Sequence, residues 1–398
     1  MEHTDILISG GGVAGLTAAA AFGTAGYSVI CVDPTPPVTD PQADGADLRT
    51  TAFLQPARLV LQAAGLWDRL EPHAAALQIM RIIDAGGPNA EPRLVRDFNA
   101  ADISDLPFGW NLPNWLLRRE MVARLTELPN VSFRPGLSTT PLLTRSAEAL
   151  VTLSDTTRIS ARLLIAADGR HSTMRQALNI PVRTFRYGQK ALTFAVTHPL
   201  PHDNVSTEIH RFGGPFTLVP LPDRDGLPCS AVVWMDKGPE IARLAELGID
   251  DFQTEINIRS CHILGPLTLA SKRLVWPIIA QLAARMSGER VALMAEAAHV
   301  LPPIGAQGLN MSLADLAALL DLAHPDLGSP KMLDAYHRRR HLDIEARVLG
   351  IDALNRASML QTPMLRDLRA AALNGLYALT PLRKTLMKAG LGATAAAP

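Results

Sequence analysis

The chain opens with a glycine-rich turn that stands between a short apolar run and an alanine-rich segment. The turn, residues 10–15, has the pattern G-x-G-x-x-G. Residues 5–9 before it are typical of a buried parallel strand, and residues 16–25 after it favour a helix. Glycines in this context allow a tight turn, close approach of the backbone to a diphosphate, and close packing of helix on strand. The order therefore predicts a Rossmann unit with the phosphates at the helix N-terminus.

An acidic residue supports this prediction. Asp33 ends the second predicted strand 18 residues beyond Gly15. This is close to the spacing of about 20 at which an acidic side chain holds the ribose hydroxyls of a bound dinucleotide. From these residues alone the nucleotide is either NAD or FAD. A second G-x-G-x-x-G does not occur, so the chain lacks the repeated signature of a two-Rossmann flavin reductase.

The composition excludes other classes. Lys and Arg number 38, as do Asp and Glu, so the balanced charge argues against a dedicated nucleic-acid binder. The 398 residues, 47% of them hydrophobic, suit a globular chain of two to three domains. Cys31, Cys229 and Cys261 form no C-x-x-C, which argues against disulfide or cysteine zinc sites and favours a reducing compartment. The sequence predicts neither a catalytic acid–base residue nor a metal site.

Two further apolar runs lead into polar motifs. Residues 163–167 run into Asp168-Gly-Arg-His-Ser-Thr-Met-Arg175, and residues 290–294 run into Ala295-Glu-Ala-Ala-His299. The loop Pro302-Pro-Ile-Gly-Ala-Gln-Gly-Leu-Asn310, called the late loop below, then precedes a helical pattern. Such a loop offers free N–H groups at a helix start, which favour an anionic group by about 0.3–1 kcal/mol. The alternative is a plain glycine turn.

With these motifs the chain resembles the class A flavoprotein aromatic hydroxylases, and among them it is most similar to the UbiH-type hydroxylases of ubiquinone biosynthesis. The family pattern is G-x-G-x-x-G, an arginine soon after the first acid, D-G-x-x-S-x-x-R, and G-D-A-A-H-x-x-x-P-x-x-G-Q-G-x-N. The chain matches the first and third elements, offers Arg49 for the second and comes near the last. The resemblance spans residues 4–350.

The resemblance implies an α/β fold in which a glutathione-reductase-like FAD-binding Rossmann domain is interrupted by a sheet-based substrate domain and followed by a helical C-terminus. The expected division gives the FAD-binding domain residues 1–72, 110–180 and 275–333, the substrate domain residues 73–109 and 181–274, and the C-terminal helices residues 334–398.

The resemblance also implies FAD as the tightly bound nucleotide and NAD(P)H as the reductant. The expected activity is hydroxylation of an aromatic ring with dioxygen, on a polyprenylphenol intermediate of ubiquinone biosynthesis. Two alternatives stay open: hydroxylation of a soluble phenolic compound, and a non-catalytic FAD-binding accessory subunit of a quinone-synthesis complex. The ring position and the choice between NADH and NADPH are not readable from the sequence.

By the same resemblance, the glycine turn contacts the FAD diphosphate and Asp33 the adenosine ribose. Arg49 lies near the diphosphate or flavin, and Arg118, for which Arg119 is an equal alternative, contacts FAD from a helix. The full set of expected cofactor-binding residues is Gly10, Gly12, Val13, Ala14, Gly15, Asp33, Arg49, Arg118, Asp168, Gly169, Glu296, Pro303, Gly305, Gln307, Gly308, Leu309 and Asn310.

Two departures from the family pattern lie in the last motif. Ala295-Glu296 replaces Gly-Asp, and Ala306 replaces the first glycine of G-Q-G, with Gly305 one place earlier. Glu296 keeps an acceptor for a ribityl or diphosphate contact but adds a methylene. Ala295 indicates a turn that does not require positive φ. For His299, bracing the flavin loop is favoured over proton transfer.

The C-terminal segment is basic and rich in leucine. Such an amphipathic segment either lies on a membrane surface or a partner protein, or packs against the FAD-binding domain. The expected location is the cytoplasm, free or peripheral to the inner membrane, with a small aromatic or prenylated phenol and dioxygen as partners and no nucleic acid. The basic residues of this segment are Arg366, Arg369, Arg383, Lys384 and Lys388.

Overall fold

The structure is a computed structural model that describes residues 1–85, 91–211, 213–359, 371 and 374–391. The strands of the described part are β1 (Glu2–Ser9), β2 (Val29–Asp33), β3 (Thr50–Leu54), β4 (Ala75–Leu77), β5 (Ile79–Asp84), β6 (Leu94–Asn99), β7 (Gly109–Pro113), β8 (Val131–Pro135), β9 (Thr139–Thr144), β10 (Ala149–Leu153), β11 (Arg158–Ala166), β12 (Val182–Thr197), β13 (Val205–His210), β14 (Pro215–Arg224), β15 (Leu227–Lys237), β16 (Thr268–Leu269), β17 (Leu274–Ala283), β18 (Ser287–Gly288), β19 (Val291–Leu293) and β20 (His299–Val300). Its helices are α1 (Val13–Thr24), α2 (Gln55–Ala63), α3 (Trp67–Leu70), α4 (Asn114–Thr126), α5 (Thr173–Ala177), α6 (Gly238–Glu246), α7 (Ile249–Arg259), α8 (Gln307–Leu322), α9 (Pro330–Ser358) and α10 (Thr380–Leu391).

A parallel sheet forms the nucleotide-binding half. Its parallel pairs give the order β8-β2-β1-β11-β19. β1 can lie in the middle because Ile6, Leu7 and Ile8 are fully buried, as a central strand covered on both faces requires. α1 follows β1 through the glycine turn, so its N-terminus lies at the carboxyl ends of the strands, where such sheets bind ligands. The predicted Rossmann fold is confirmed.

A second, mostly antiparallel sheet has the order β20-β17-β12-β15-β14-β13-β5-β6, and β16 pairs with β12. Helices α6 and α7 cover one of its faces. There Phe194, Phe216 and Trp234 pack with Phe252 and Ile256 in one buried apolar cluster. This face is therefore closed to ligands. A small third sheet has the order β3-β7-β4.

The opposite face of the second sheet meets the nucleotide-binding half. Ala191 on β12 pairs with Met235 on β15, and both pack with Ile304 from the late loop. On β17, the ring of Trp276 lies beneath the guanidinium of Arg49, whose carbon is 4.1 Å from the ring centroid. The segment before β3 and the late loop therefore both reach this face.

The position of β17 differs from the expected domain division, which returned to the FAD-binding domain at residue 275. β17 pairs with β12 from Thr193↔Leu274 to Val182↔Ala283, so it belongs to the second sheet. The second half of β17, residues 278–283, is wholly buried and apolar apart from Gln281. Such a run is equally typical of a Rossmann strand, so the sequence alone does not assign this strand to one of the two sheets.

The described part of the C-terminal segment packs on the protein. Tyr377 contacts Phe98 of β6 edge to face, with ring centroids 5.5 Å apart, and lies beside the guanidiniums of Arg96 and Arg383. Met387 of α10 is buried. Packing against the body, one of the two expected roles, is thus observed for this part.

The outer side of the same segment stays exposed. Leu379, Leu382 and Leu386 are each more than two-fifths exposed. Arg366 and Arg369, which carried part of the expected basic pattern, lie outside the described residues. No helix in the described ranges has the length and apolarity that a bilayer crossing requires.

Candidate active site

Two glycines of the first turn are required by packing within the protein. Gly10 has a φ of +110°, and a Cβ there would overlap the backbone of Ala167. A Cβ on Gly15 would overlap the carbonyl oxygen of Gly10. α1 can approach β1 and β11 this closely only because neither position carries a side chain.

Gly12, in contrast, has open space where a side chain would be. Its φ of −69° and ψ of 178° suit any residue, and a Cβ there would meet no heavy atom of the described residues within 4 Å. Val13 and Ala14 follow as the first residues of α1, a helix that no side chain caps in the described part. Open space in front of free N–H groups is a cradle that a diphosphate would fit.

Asp33 lies beside this cradle at the carboxyl end of β2. Its Oδ2 accepts the N–H of Gly11 at 2.6 Å, and its Oδ1 accepts the N–H of Thr35 at 2.8 Å. Each carboxylate oxygen can accept a second hydrogen bond. The side chain is therefore held in place with acceptor capacity left for a ribose.

Arg49 and Arg118 converge on a buried carboxylate that the sequence analysis did not identify. Arg49 donates to both oxygens of Asp47, at 2.8 and 2.7 Å, and Arg118 Nη2 lies 3.7 Å from Oδ2. Burial raises the pKa of Asp47, but hydrogen bonds from Arg49 and Asn114 and the charge of Arg118 outweigh it and leave the pKa lowered. Two guanidiniums against one carboxylate give this cluster an excess of positive charge.

The two arginines proposed for the same role point in different directions. Arg118 reaches Asp47, whereas Arg119 is exposed, pairs with Glu120 at 2.9 Å and lies over the ring of Trp115. Only Arg118 therefore joins the cluster that contains Arg49.

Asp168 and Gly169 form the turn after β11. Asp168 Oδ2 accepts the backbone N–H groups of Thr173 and Met174 at 2.9 and 3.3 Å and so caps α5. Gly169 has a φ of +82°, which favours glycine. The turn is tied to the last motif by Arg175, whose Nη1 donates to the carbonyl of Ala297 at 2.8 Å.

Ala295 corrects one expectation. Its φ is +54°, so the turn does require the left-handed conformation, which costs alanine about 1–2 kcal/mol. Its N–H donates to Asp315 at 3.2 Å, which helps to hold the turn. Alanine at this position therefore adopts a conformation that favours glycine.

Glu296 extends from this turn with a side chain that is 53% exposed, and its Oε2 lies 3.8 Å from Arg170. Burial lowers the pKa of Arg49, but Asp47 and, more weakly, the charge of Glu296 raise it above its ordinary value. Glu296 thus lies close enough to influence the arginine cluster. No hydrogen bond to its carboxylate is found among the described residues.

The late loop contains two consecutive left-handed residues, Gly305 (φ +62°) and Ala306 (φ +56°). Gln307 Nε2 donates to the carbonyls of Gly305 and Gly390, at 2.9 and 3.0 Å, and its Oε1 accepts from Arg347 at 2.9 Å. Both ends of the amide are therefore used within the protein.

The side-chain amide of Asn310 also forms its hydrogen bonds within the protein. Its Oδ1 accepts the N–H of Leu54 at 2.8 Å, and its Nδ2 donates to the carbonyls of Ala52 and Ala306 at 2.7 and 2.6 Å. A Cβ on Gly308 would meet nothing within 4 Å in the described part. Contact between this loop and a cofactor would therefore use backbone groups rather than these two amides. Of the other predicted loop residues, Pro303 is exposed and Leu309 is half-buried.

His299 is buried, and its Nε2 lies 2.6 Å from Asp315 Oδ2. Arg340 approaches the other carboxylate oxygen at 2.7 Å. Burial raises the pKa of Asp315, but the charges of His299 and Arg340 outweigh it and keep the pKa below its usual value. The arrangement agrees with the interpretation of His299 as a brace.

Unpaired polar atoms lie where a cofactor would be expected to contact the chain. Asp168 Oδ1 and Arg118 Nε are buried without a hydrogen-bond partner in the described ranges. A buried polar atom left in this way costs free energy unless a ligand or water pairs with it. Both residues belong to the predicted FAD set. With the open cradle at Gly12, they fit an extended nucleotide carrying a diphosphate.

Sequence reasoning missed the residues that orient this site: Asp47, Trp276, Asp315, Arg340 and Arg347. One signal was available, because Asp315 is an acid within the apolar pattern of α8. Asp47 lies only two residues before Arg49, whereas Trp276, Arg340 and Arg347 contact the site from distant parts of the chain. The described residues hold no group of three or more His, Cys, Asp or Glu side chains placed to bind a metal.

Comparison with known proteins agrees with this geometry. Residues 3–349 match the family described as FAD binding domain. The chain is 30% identical to the ubiquinone hydroxylase UbiL of Rhodospirillum rubrum over 397 residues, covering 98% of this chain and 89% of that protein. The chain belongs to the FAD-dependent monooxygenases of this family. FAD is the cofactor of this monooxygenase, NAD(P)H its reductant, and an aromatic compound and dioxygen its substrates.

Other relatives cover almost the whole monooxygenase. The 3-demethoxyubiquinol 3-hydroxylase of Escherichia coli is 25% identical, over 98% of this chain and 99% of its own length. Among solved structures, the p-nitrophenol 4-monooxygenase PnpA of Pseudomonas putida superposes with a TM-score of 0.79 at 19% identity, over 98% of this chain and 99% of that one. At that identity the likeness establishes the fold alone.

Proposed function

We propose that this monooxygenase hydroxylates a polyprenylphenol intermediate of ubiquinone biosynthesis. The observation that carries the proposal is the match of ubiquinone hydroxylases to nearly the whole chain, through the FAD motifs and the second sheet alike. The apolar face around Ala191, Met235 and Ile304 supports it, because an aromatic ring needs a dry surface next to the late loop.

The residues that would hold FAD follow from the geometry above. The N–H groups at the start of α1 would face the diphosphate over Gly12, and Asp33 would accept the ribose hydroxyls. Arg118 Nε and Asp168 Oδ1 would gain the partners that they lack. Glu296 would face the ribityl or diphosphate region. The predicted backbone at Gly305, Gly308 and Leu309 would approach the flavin, with Pro303 shaping the loop entrance.

The protein has little acid–base chemistry to perform. Bound FAD supplies hydride acceptance and oxygen activation, and the chain supplies binding, orientation and exclusion of water. Arg49 is suited to orientation because it is held between Asp47 and the ring of Trp276. This contact fixes the arginine at the junction of the two sheets.

The function is tested by deleting the gene and analysing lipids by mass spectrometry. A prenylated ubiquinone precursor lacking one ring hydroxyl should accumulate and disappear when the parent gene is restored. The purified protein should oxidise NAD(P)H faster when that precursor is added. An unchanged lipid profile, with NAD(P)H oxidation stimulated only by water-soluble phenols, would favour the soluble-phenol alternative. FAD binding without any NAD(P)H oxidation would favour the accessory subunit.

We further propose that the enzyme acts in the cytoplasm, peripheral to the inner membrane, where a prenylated substrate resides. The support is the outer face of the C-terminal segment, where exposed Leu382 and Leu386 lie beside Lys384 and Lys388. A basic amphipathic helix of this kind suits an anionic lipid surface. Association with a quinone-synthesis complex through the same face is the alternative occupant.

Reversing both lysine charges (Lys384→Glu with Lys388→Glu) should weaken binding to phosphatidylglycerol vesicles by at least about tenfold, since each lysine contributes about 1 kcal/mol near such a surface. Vesicle co-sedimentation measures the change. The control is Leu342→Ser with Leu349→Ser, which alters an exposed face of α9. If the charge-reversed protein sediments with the vesicles as well as the parent does, this face is not the membrane contact.

A further inference from the structure

A continuous series of polar contacts joins the two turns at which the chain carries alanine instead of glycine. We call it the α8–α9 ladder, and its members, in order, are His299, Asp315, Arg340, Asp343, Arg347 and Gln307. The successive donor–acceptor distances are 2.6 Å, 2.7 Å, 2.7 Å, 3.0 Å and 2.9 Å.

Helix geometry explains the order of the ladder. Gln307 and Asp315 are two turns apart on α8, and Arg340 and Arg347 are two turns apart on α9. Arg340 faces Asp315 and Arg347 faces Gln307, so the helices run antiparallel with two matched contacts. Asp343 lies between the two arginines on α9 and pairs with both. Arg340 also donates to the carbonyl of Met311, midway along the contact.

Each end of the ladder holds a left-handed alanine turn. At one end, Asp315 accepts the N–H of Ala295, whose φ is +54°. At the other end, Gln307 donates to the carbonyl of Gly305 and follows Ala306, whose φ is +56°. Alanine is strained in this conformation, whereas glycine is not. Both turns therefore need support that a glycine would not require.

We infer that the α8–α9 ladder positions the two turns on either side of the flavin, and that Arg347 is a positioning residue for FAD acting through Gln307. The inference rests on the assignment of the late loop to FAD. Arg347 has no direct role in the chemistry. It keeps Gln307 bonded to Gly305, and this bond holds the backbone of Ala306 in the conformation that presents the loop N–H groups. Without the ladder, Ala306 relaxes toward a right-handed or extended conformation and the loop loses its shape.

The test combines loss of the ladder contact with relief of the strain. Arg347→Gln should raise the FAD dissociation constant about tenfold, the effect of losing a hydrogen bond to a charged group. In an Ala306→Gly background the same substitution should raise it about threefold or less, because glycine keeps the turn unaided. Fluorescence titration of apoprotein with FAD measures both. The visible spectrum of the bound flavin should change in Arg347→Gln and return toward the parent spectrum in the double variant.

Two further variants make the result specific. Asp343→Asn breaks the ladder one step earlier and should reproduce the Arg347→Gln effect in both backgrounds. Arg338→Gln removes an exposed arginine of the same helix and should leave FAD binding unchanged. Equal effects of Arg347→Gln with Ala306 and with Gly at position 306 would overturn the inference, as would the absence of any effect. Either failure leaves the proposed function standing, because that is tested by substrate and lipid analysis.

Discussion

Replacing Asp315 by alanine should lower the free energy of unfolding by about 3–5 kcal/mol, because the guanidinium of Arg340 then stays buried without this partner and His299 loses its hydrogen bond. The exposed fractions of the Asp315, His299 and Arg340 side chains are 0%, 2% and 7%. Asp343 still pairs with Arg340 but lies at the edge of the helix contact, where it is 35% exposed. Urea unfolding at neutral pH, followed by circular dichroism with and without FAD, measures the change and separates it from cofactor binding.

The control for this prediction lies on the same helix. Asp321 is 65% exposed and pairs with Arg339 at the surface. Asp321→Ala should therefore cost less than about 1 kcal/mol. Similar losses in the two variants would mean that the buried carboxylate does not support the packing of α8 against α9.

The contribution of the Asp315 carboxylate to the free energy of unfolding should depend on pH. Since its neighbours hold its pKa below the usual value, the carboxylate adds stability at every pH above that of an unfolded aspartate, about 3.9. That contribution is lost as the pH falls through the lowered pKa of the folded state. Asp315→Asn removes the titrating group, so its unfolding free energy should fall less steeply on acidification below about pH 4.

The parts of this structure that the sequence could predict depend on short-range order. The turn between β1 and α1 needs glycine at Gly10 and Gly15 because backbone atoms lie where a Cβ would be. Such a requirement can be read from the sequence, because it fixes the residue type at positions only a few residues apart. The strands that run into Asp168 and Ala295 were predicted for the same reason, as apolar runs that end at polar turns.

The parts that it could not predict depend on contacts between distant residues. The backbone conformation of Ala295 and Ala306 was not readable because alanine is ordinarily a sign of negative φ, and the support comes from α8 and α9. Trp276 was missed because its partner, Arg49, lies more than 200 residues earlier in the chain. The residues predicted to bind the cofactor form motifs that can be recognised in the sequence, whereas the residues that contact and orient them are identified only from the fold.

Three glycines of the first turn, Gly10, Gly12 and Gly15, show how that division can be used experimentally. A Cβ on Gly10 or Gly15 would overlap backbone atoms of the protein itself. A substitution at either position therefore disrupts the packing of α1 on the sheet whether or not FAD is present. A Cβ on Gly12, in contrast, would meet no heavy atom of the described residues within 4 Å. A requirement for glycine at this position would therefore come from the bound ligand and not from the protein. Substitution at Gly12 therefore separates cofactor binding from folding.

Gly12→Val should give a folded protein that purifies without its yellow cofactor. The backbone at Gly12 accepts valine without strain, but the added methyl groups enter the space assigned to the diphosphate. Overpacking of this kind costs about 1–3 kcal/mol, sometimes more, which is about 5- to 150-fold in affinity. Fluorescence titration of the apoproteins with FAD measures the loss, and circular dichroism compares the folds. Gly350→Val is the matched control, because a Cβ on this helix residue also meets open space in the described chain, so the change should leave FAD bound. A Gly12→Val protein that retains FAD at the parent affinity would show that the diphosphate does not lie over this turn.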